Sequence, residues 1–264
     1  MNLTFFKYQV TGNDFIIIDN RKDEIGQLTK HQIEWLCNRK FGIGADGLML
    51  MNARQGYDFE MVYFNADGNE STMCGNGGRC MISCAYHLGI HAYTYRFMAK
   101  DGEHEGEINI DNNIRLKMKN VDTVEFQNHH ALLDTGSPHF VKFVTDLEDV
   151  DVVESGRIIR ESKQFANEGI NVNFVETISA DTISVRTYER GVEDETLSCG
   201  TGVTAASLVA AHNNRGFNRV EVITPGGKLS VEFEKTGDSS FENIWLCGPA
   251  TFVFKGEIEM GVDG

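Results

Sequence analysis

Short apolar runs that alternate with polar residues recur along the chain. They predict strands at residues 3–8, 15–19, 48–51, 59–64, 93–99, 105–110 and 114–118. A second series is predicted at 131–134, 140–144, 170–176, 182–188, 219–224, 228–234, 244–246 and 251–260. Turn residues separate the strands, notably Thr11-Gly12-Asn13-Asp14, the loop Gly42-Ile43-Gly44-Ala45-Asp46-Gly47 and Thr135-Gly136-Ser137-Pro138-His139. Thr29 reads as the cap of a helix that reaches Arg39, buries Ile33, Leu36 and Cys37 and stops at Gly42. Another helix is predicted over residues 150–165, and helix-like segments at 81–88 and 205–211. Many strands with one long helix per half imply an α+β chain rather than a parallel βαβ sheet.

The last two segments share a preface. Met73-Cys74-Gly75-Asn76-Gly77-Gly78-Arg79-Cys80 precedes the first, and Ser198-Cys199-Gly200-Thr201-Gly202-Val203-Thr204 precedes the second. Upstream of each lie an alternating strand, a polar turn and an acidic loop: 59–64 with Asn65-Ala66-Asp67-Gly68, and 183–188 with Glu189-Arg190-Gly191. This order repeats at domain scale, too long for a solenoid period. It predicts two similar lobes, residues 1–118 plus 250–264 and residues 119–249. Each carries one such cysteine, with a cleft between them.

Glycines before a helix let backbone N–H groups approach a ligand, and the helix start adds unpaired donors and positive potential. A cysteine there would hold more thiolate near neutral pH. A phosphate cradle is disfavoured, because neither copy has the P-loop lysine or a GxGxxG followed by a distant acid. A nucleophilic cysteine would use one thiol with a histidine base, His139 for instance, and leave the other without a task. Two equivalent thiols suit a nearly symmetric reaction that removes a proton from one face of a carbon and returns it to the other. Cys80, Cys84 and Leu88 fall on one helical face beside Met81 and Ala85, which reads as core and not as zinc ligands. Cys37 and Cys247 read as core also. For His139, the bare sequence favours a loop residue that caps a turn.

Composition narrows the partners. The 264 residues suffice for two modest domains, and the net charge of −15 argues against nucleic acid or an anionic membrane. No signal peptide or membrane-length apolar run is visible. Six cysteines are too few and too irregular for a disulfide scaffold at this size, so a reducing cytoplasm is the expected setting.

Taken together, Gly12-Asn13-Asp14-Phe15, Gly42 to Asp46, Phe64-Asn65-Ala66-Asp67-Gly68, the two Cys-Gly units, Pro138-His139 and Tyr188-Glu189-Arg190-Gly191 resemble the diaminopimelate epimerase family over almost the whole chain. The resemblance implies two pseudo-symmetric α+β lobes, each a β-barrel-like sheet around a central helix, with the active site in the cleft. It implies cofactor-independent interconversion of LL- and meso-diaminopimelate in lysine and cell-wall precursor synthesis, with no metal. Cys74 and Cys199 would be the acid–base thiols, assisted by His139 and Glu189. Asn13, Asn65 and Asn171 would hydrogen-bond the substrate, and Gly75, Asn76, Gly200 and Thr201 would offer amides to its reacting carboxylate. Glu189 would accept from the ammonium and Arg190 would grip a carboxylate. The implied partner is a small molecule, and a homodimer stays open. Two positions depart from the family: Gly47, where many members have glutamine, and Ser137, where many have asparagine. Both touch substrate in the family. Runner-up readings are another two-base racemase of that fold, such as a proline racemase-like enzyme, and a non-catalytic small-anion binding module.

Overall fold

The computed structural model describes residues 2–260. The chain divides into two compact units, Met1–Leu116 with Pro249–Gly264, and Lys117–Gly248. Strands of the first unit are β1 (Asn2–Val10), β2 (Asn13–Asp19), β3 (Gly47–Asn52), β4 (Phe59–Asn65), β5 (Glu70–Ser71), β6 (Thr94–Ala99), β7 (Gly102–Ile108), β8 (Asn113–Lys117) and the late strand β18 (Thr251–Glu259). Its helices are α1 (Lys30–Cys37) and α2 (Gly75–His87). Strands of the second are β9 (Glu125–Gln127), β10 (His130–Asp134), β11 (Pro138–Phe143), β12 (Asn171–Ser179), β13 (Thr182–Glu189), β14 (Asp194–Thr196), β15 (Gly216–Thr224), β16 (Gly227–Lys235) and β17 (Phe241–Pro249). Its helices are α3 (Val152–Arg160) and α4 (Gly200–Val209).

The two units repeat one topology. In the first, the strands neighbour one another as β18-β1-β2-β3-β4-β6-β7-β8, with β5 added to β4. In the second, the series is β9-β10-β11-β12-β13-β15-β16-β17, with β14 added to β13. Both series run antiparallel except at two places. The parallel pairs are β2–β3 and β4–β6 in one unit and β11–β12 and β13–β15 in the other. A parallel pair needs a crossover, and each is bridged by one helix. The chain is thus sheet-rich α+β, yet it contains four such crossovers that strand alternation alone did not reveal.

Each sheet curls around its second helix. Helix α2 contacts β1, β2, β3, β4, β7 and β18, and α4 contacts β10, β11, β12, β13, β15 and β16. That placement buries Cys80, Met81, Cys84 and Ala85 on one side and Val203, Ala205, Ala206 and Leu208 on the other. The Cys80, Cys84, Cys37 and Cys247 side chains are all core. Burial pushes the Cys37 and Cys84 thiols up to about 12, which keeps them protonated and inert.

Several elements differ from their sequence-based expectation. Helix α1 starts where predicted, with Thr29 and Gln32 in a reciprocal capping box, but ends at Cys37. Asn38 turns extended there, and its side chain accepts from the N–H groups of Lys40 and Phe41. Helix α3 occupies only the middle of 150–165: Asp151 caps it at Glu154 N, and Ser162 starts a turn after Arg160. Helices α2 and α4 begin at the glycines themselves. Three strands of two or three residues, β5, β9 and β14, carry too short a pattern to be read.

Helix α3 lies so close to β13 that a Cβ on Gly156 would overlap Cβ and Cγ of Tyr188. Both overlapping atoms sit near the backbone and cannot rotate away. Gly156→Ala is therefore expected to destabilise the protein by about 1–3 kcal/mol, as overpacking does. A denaturant midpoint equal to or above that of the unmodified protein would contradict this packing.

Candidate active site

Cys74 is the N-cap of α2 and Cys199 the N-cap of α4, both in extended backbone conformation. A cap residue usually spends its side chain on the first-turn N–H groups, which lack intrahelical acceptors. Neither sulfur does so. The first backbone bonds of the two helices match, Gly78 N–H to Cys74 O at 2.7 Å and Val203 N–H to Cys199 O at 2.8 Å. Cys199 is 8% exposed, and Cys74 is half-buried.

The glycines have a packing role as well as the access role expected of them. A Cβ on Gly77 would lie 3.0 Å from Met49 Sδ and 3.2 Å from Met61 Cε. A Cβ on Gly202 would lie far inside contact distance of Asn173 Oδ1, and 3.4 Å from Cys199 Cβ. Each helix start is thus pressed onto the middle strands of its own sheet.

In the first unit a charged network fixes Asn13. Its Nδ2 donates to Asp46 Oδ2 at 2.7 Å, and its Oδ1 accepts from Asn76 Nδ2 at 3.3 Å. Asn76 Oδ1 accepts from the fully buried Arg79 at 2.8 Å. Asp46 and Asp14 share Arg39, with Nη2 at 2.7 and 2.5 Å. Lys7 Nζ reaches Asp14 Oδ2 at 2.7 Å and also donates to Gly44 O. Burial pushes the Asp14 carboxyl up, but the bonds from Arg39 and Lys7 outweigh it and hold it at about 2. Asn65 ends β4 and is exposed. None of Lys7, Asp14, Arg39 or Asp46 was singled out from sequence as a site residue. The motif letters Gly-Asn-Asp-Phe and Gly-Ala-Asp marked the place, but not that the two aspartates share one arginine.

In the second unit three predicted site residues form a row. His139 pairs in register with Asn171, and Asn171 lies beside the Glu189 end of β13. Glu189 accepts from Thr196 Oγ1 at 2.9 Å and from the Cys199 side chain. Burial pushes its carboxyl up, and those two bonds oppose the rise. Thr201 Oγ1 lies 3.5 Å from Cys199 Sγ on the other side, and its carbonyl accepts from Thr135 Oγ1 at 2.9 Å. Asn171 is committed inside the protein: Nδ2 donates to Ser137 Oγ at 2.8 Å and Pro138 O at 3.2 Å, and Oδ1 accepts from Arg190 N–H at 2.9 Å. Arg190 reaches Ser137 Oγ at 3.3 Å and Glu168 O at 3.0 Å. Ser137 therefore serves as a hub between Asn171 and Arg190.

His139 is not a turn cap. It is the second residue of β11 and is fully buried, with Nδ1 3.1 Å from Asn173 Nδ2. Burial, with Arg190 nearby, pushes its pKa down to about 3, so the ring is neutral at ordinary pH. The matching row of the first unit is Phe15, Gly47 and Asn65. The room at Gly47 is filled: Tyr63 Cε2 and its hydroxyl lie 2.5 and 3.1 Å from where a Cβ would stand, and its ring meets Phe15 edge-on at 6.0 Å.

Elsewhere, a groove of about 600 Å³ lined by Phe126, His129, Lys142 and Val209, among others, contains none of the predicted site residues. Among the described residues no group of three His, Cys, Asp or Glu side chains is arranged to hold a metal ion, and no helix is long and apolar enough to cross a membrane.

The sequence model of the diaminopimelate epimerases matches residues 5–124 and 131–253. The chain belongs to the diaminopimelate epimerase family. It is an isomerase of the epimerase type, similar to the diaminopimelate epimerase of Flavobacterium psychrophilum at 48% identity over 96% of this chain and 99% of that protein. It is 42% identical to that of Chlorobaculum tepidum, over 94% of this chain and 98% of the relative. Among solved structures it is similar to a phenazine biosynthesis protein of the PhzF family from Bacillus anthracis, with a TM-score of 0.76 at 15% identity over 98% and 100% of the two chains. A hydroxyproline epimerase from Agrobacterium vitis gives a TM-score of 0.66 at 14% identity over 97% and 92%. At such identities these two establish the fold alone.

The Asp14 cluster makes a prediction about acid stability. Its folded pKa of about 2 lies below the ordinary 3.8. The cluster's contribution is therefore complete above pH 3.8 and lost as pH falls through about 2, on the order of 2 kcal/mol in all. Asp14→Asn should lower unfolding free energy by that order at pH 7, and the gap from the unmodified protein should close between about pH 4 and 2. A gap that stays constant with pH would refute the ion cluster as its source.

Proposed function

We propose that the chain interconverts LL- and meso-diaminopimelate without a cofactor, using Cys74 and Cys199 as an acid–base pair at one α-carbon. The observation that carries this reading is the duplicated cap. Each unit offers one thiol at a helix start, and each leaves that thiol uncommitted to capping its own helix. Family membership supplies the substrate. One sulfur, as thiolate, takes the α-proton, and the other, as thiol, delivers a proton to the opposite face. Their protonation states exchange when the reaction reverses.

The carbanion formed in between is high in energy. Charge flows into the adjacent carboxylate, which the first-turn amides of α2 and α4 would stabilise, by about 3–4 kcal/mol per donor on the scale of oxyanion holes. Gly75, Asn76, Gly200 and Thr201 supply those amides. Asn13 and Asn65 from one unit, and Asn171, Glu189 and Arg190 from the other, hold the remaining polar groups. Asn13 is held in place for this by Asp46 and Asn76, and Asn171 by Ser137, Pro138 and Arg190. Glu189, bonded to the Cys199 thiol, favours the protonated sulfur there. The product would serve lysine and peptidoglycan precursor synthesis, in the cytoplasm.

The deciding experiment is incubation of the protein with LL-diaminopimelate in D₂O, with no cofactor added. One deuterium at one α-carbon and appearance of the meso isomer are expected; no exchange would reject the reading. Cys74→Ala and Cys199→Ala should each lose epimerisation by at least about 10³-fold while unfolding near the same midpoint. Full activity in either variant would end the two-thiol account. Proline in place of diaminopimelate tests the racemase alternative, and no exchange is expected.

A further inference from the structure

Asn173 is a fully buried polar side chain for which the mechanism above has no use. Its position on β12 places it between two site residues. Its Nδ2 lies 3.1 Å from His139 Nδ1 and donates to Phe140 O at 3.0 Å, and its Oδ1 accepts from Thr187 Oγ1 at 2.9 Å. The same Oδ1 stands against Gly202 in the first turn of α4, three residues after Cys199. The orientation of the amide is decided by its neighbours. The Phe140 carbonyl can only accept, so the atom facing it must be the NH₂ group. That NH₂ also faces His139 Nδ1, which must then accept as well. A neutral imidazole that accepts at Nδ1 carries its proton on Nε2. Nε2 is buried and has no hydrogen-bond partner among the described residues.

We propose that Asn173 is a positioning residue for the epimerisation: its amide fixes His139 as the Nε2–H tautomer and seats the start of α4, and with it Cys199, on the sheet. This rests on the proposed reaction for its catalytic consequence, but not for its structural one. Thr187 is the accessory that orients the amide. Both residues stand at inward strand positions where an apolar side chain would pack without any partner. A buried amide with all its bonds made is costly to mis-set, because each wrong orientation leaves a buried group unpaired. That cost is what makes the tautomer unique. An Nε2–H donor offers its proton away from Asn173, whereas an Nδ1–H tautomer would press a hydrogen against the amide's own.

The test reads the tautomer directly. Nitrogen-15 spectra of the imidazoles, with the His139 signals assigned by their absence from His139→Gln, should show an unprotonated Nδ1 and a protonated Nε2 in the unmodified protein. Asn173→Asp keeps the shape but replaces the donor with a carboxylate. Its His139 should switch to Nδ1–H, and kcat should fall about 10- to 100-fold with KM within about threefold. Thr187→Val, which leaves the Phe140 carbonyl facing the amide NH₂, should keep the Nε2–H tautomer and change kcat by less than about threefold. A protonated Nδ1 in the unmodified protein overturns the proposal, and so does an Asn173→Asp variant with unchanged kcat. Loss of kcat with the tautomer unchanged also overturns it, since that marks a packing role only. If Asn173→Asp does not fold, the unmodified spectrum and Thr187→Val decide the matter. Absence of any α-carbon exchange by the unmodified protein would reject the reaction instead, and the tautomer would still decide the role of Asn173.

Discussion

The fold depends on how closely two helix starts approach two sheets. The first turns of α2 and α4 run directly over β3 and β12: a Cβ at position 202 would overlap Asn173, and one at position 77 would crowd Met49 and Met61. This contact fixes where each helix begins, and therefore where Cys74 and Cys199 sit. It also explains why those cysteines are poor caps. A serine or aspartate at that place would turn its oxygen onto the helix N–H groups and close them off. Cysteine is a weak acceptor, so the donors remain for another use. The Cys-Gly-polar-Gly sequence thus combines close packing below with a cap residue whose side chain does not bond the helix start.

The same constraint explains which features were legible in the sequence. The apolar pattern located all but the shortest strands, by alternation where one face packs on a helix and as a continuous apolar run at β3, which is buried on both faces. Cys74 and Cys199 were legible because their surroundings repeat. Helix starts were placed late, since three glycines in four residues look like a loop until packing over the sheet makes them helical. The extra length predicted for α3 lies at its ends, where Val150 and Phe165 are apolar but pack against the core beside the helix and not within it. His139 was misread for a similar reason: Pro138 before it suggests a turn, yet Pro138 is the first residue of a strand, where a missing N–H is tolerated.

What stayed hidden were the residues that hold other residues. Asp46 and Arg39 act on Asn13 across 33 and 26 positions of sequence, and no local pattern shows such a pairing. Asn173 and Thr187 did leave a trace. On β13, Ile183, Val185 and Thr187 share the buried face, and on β12 Asn171, Asn173 and Val175 do. A polar residue in an apolar series is either an error or a held group, and here the two face each other across the register.

The duplication keeps the order of strand neighbours, although its edge strand comes last in the chain as β18 and first in the second unit as β9, but it does not keep the chemistry. The row beside α4 carries His139, Asn171 and Glu189, while its counterpart beside α2 carries Phe15, Gly47 and Asn65. Asn173 answers to Met49, and Thr187 to Tyr63. The register row of the second unit thus carries an imidazole and a carboxylate where that of the first carries a phenyl ring and an amide. A symmetric reaction does not require symmetric thiols; it requires that the pair hold one proton between them. The carboxylate of Glu189 accepts from the Cys199 side chain, whereas the corresponding position of the first unit carries the amide of Asn65.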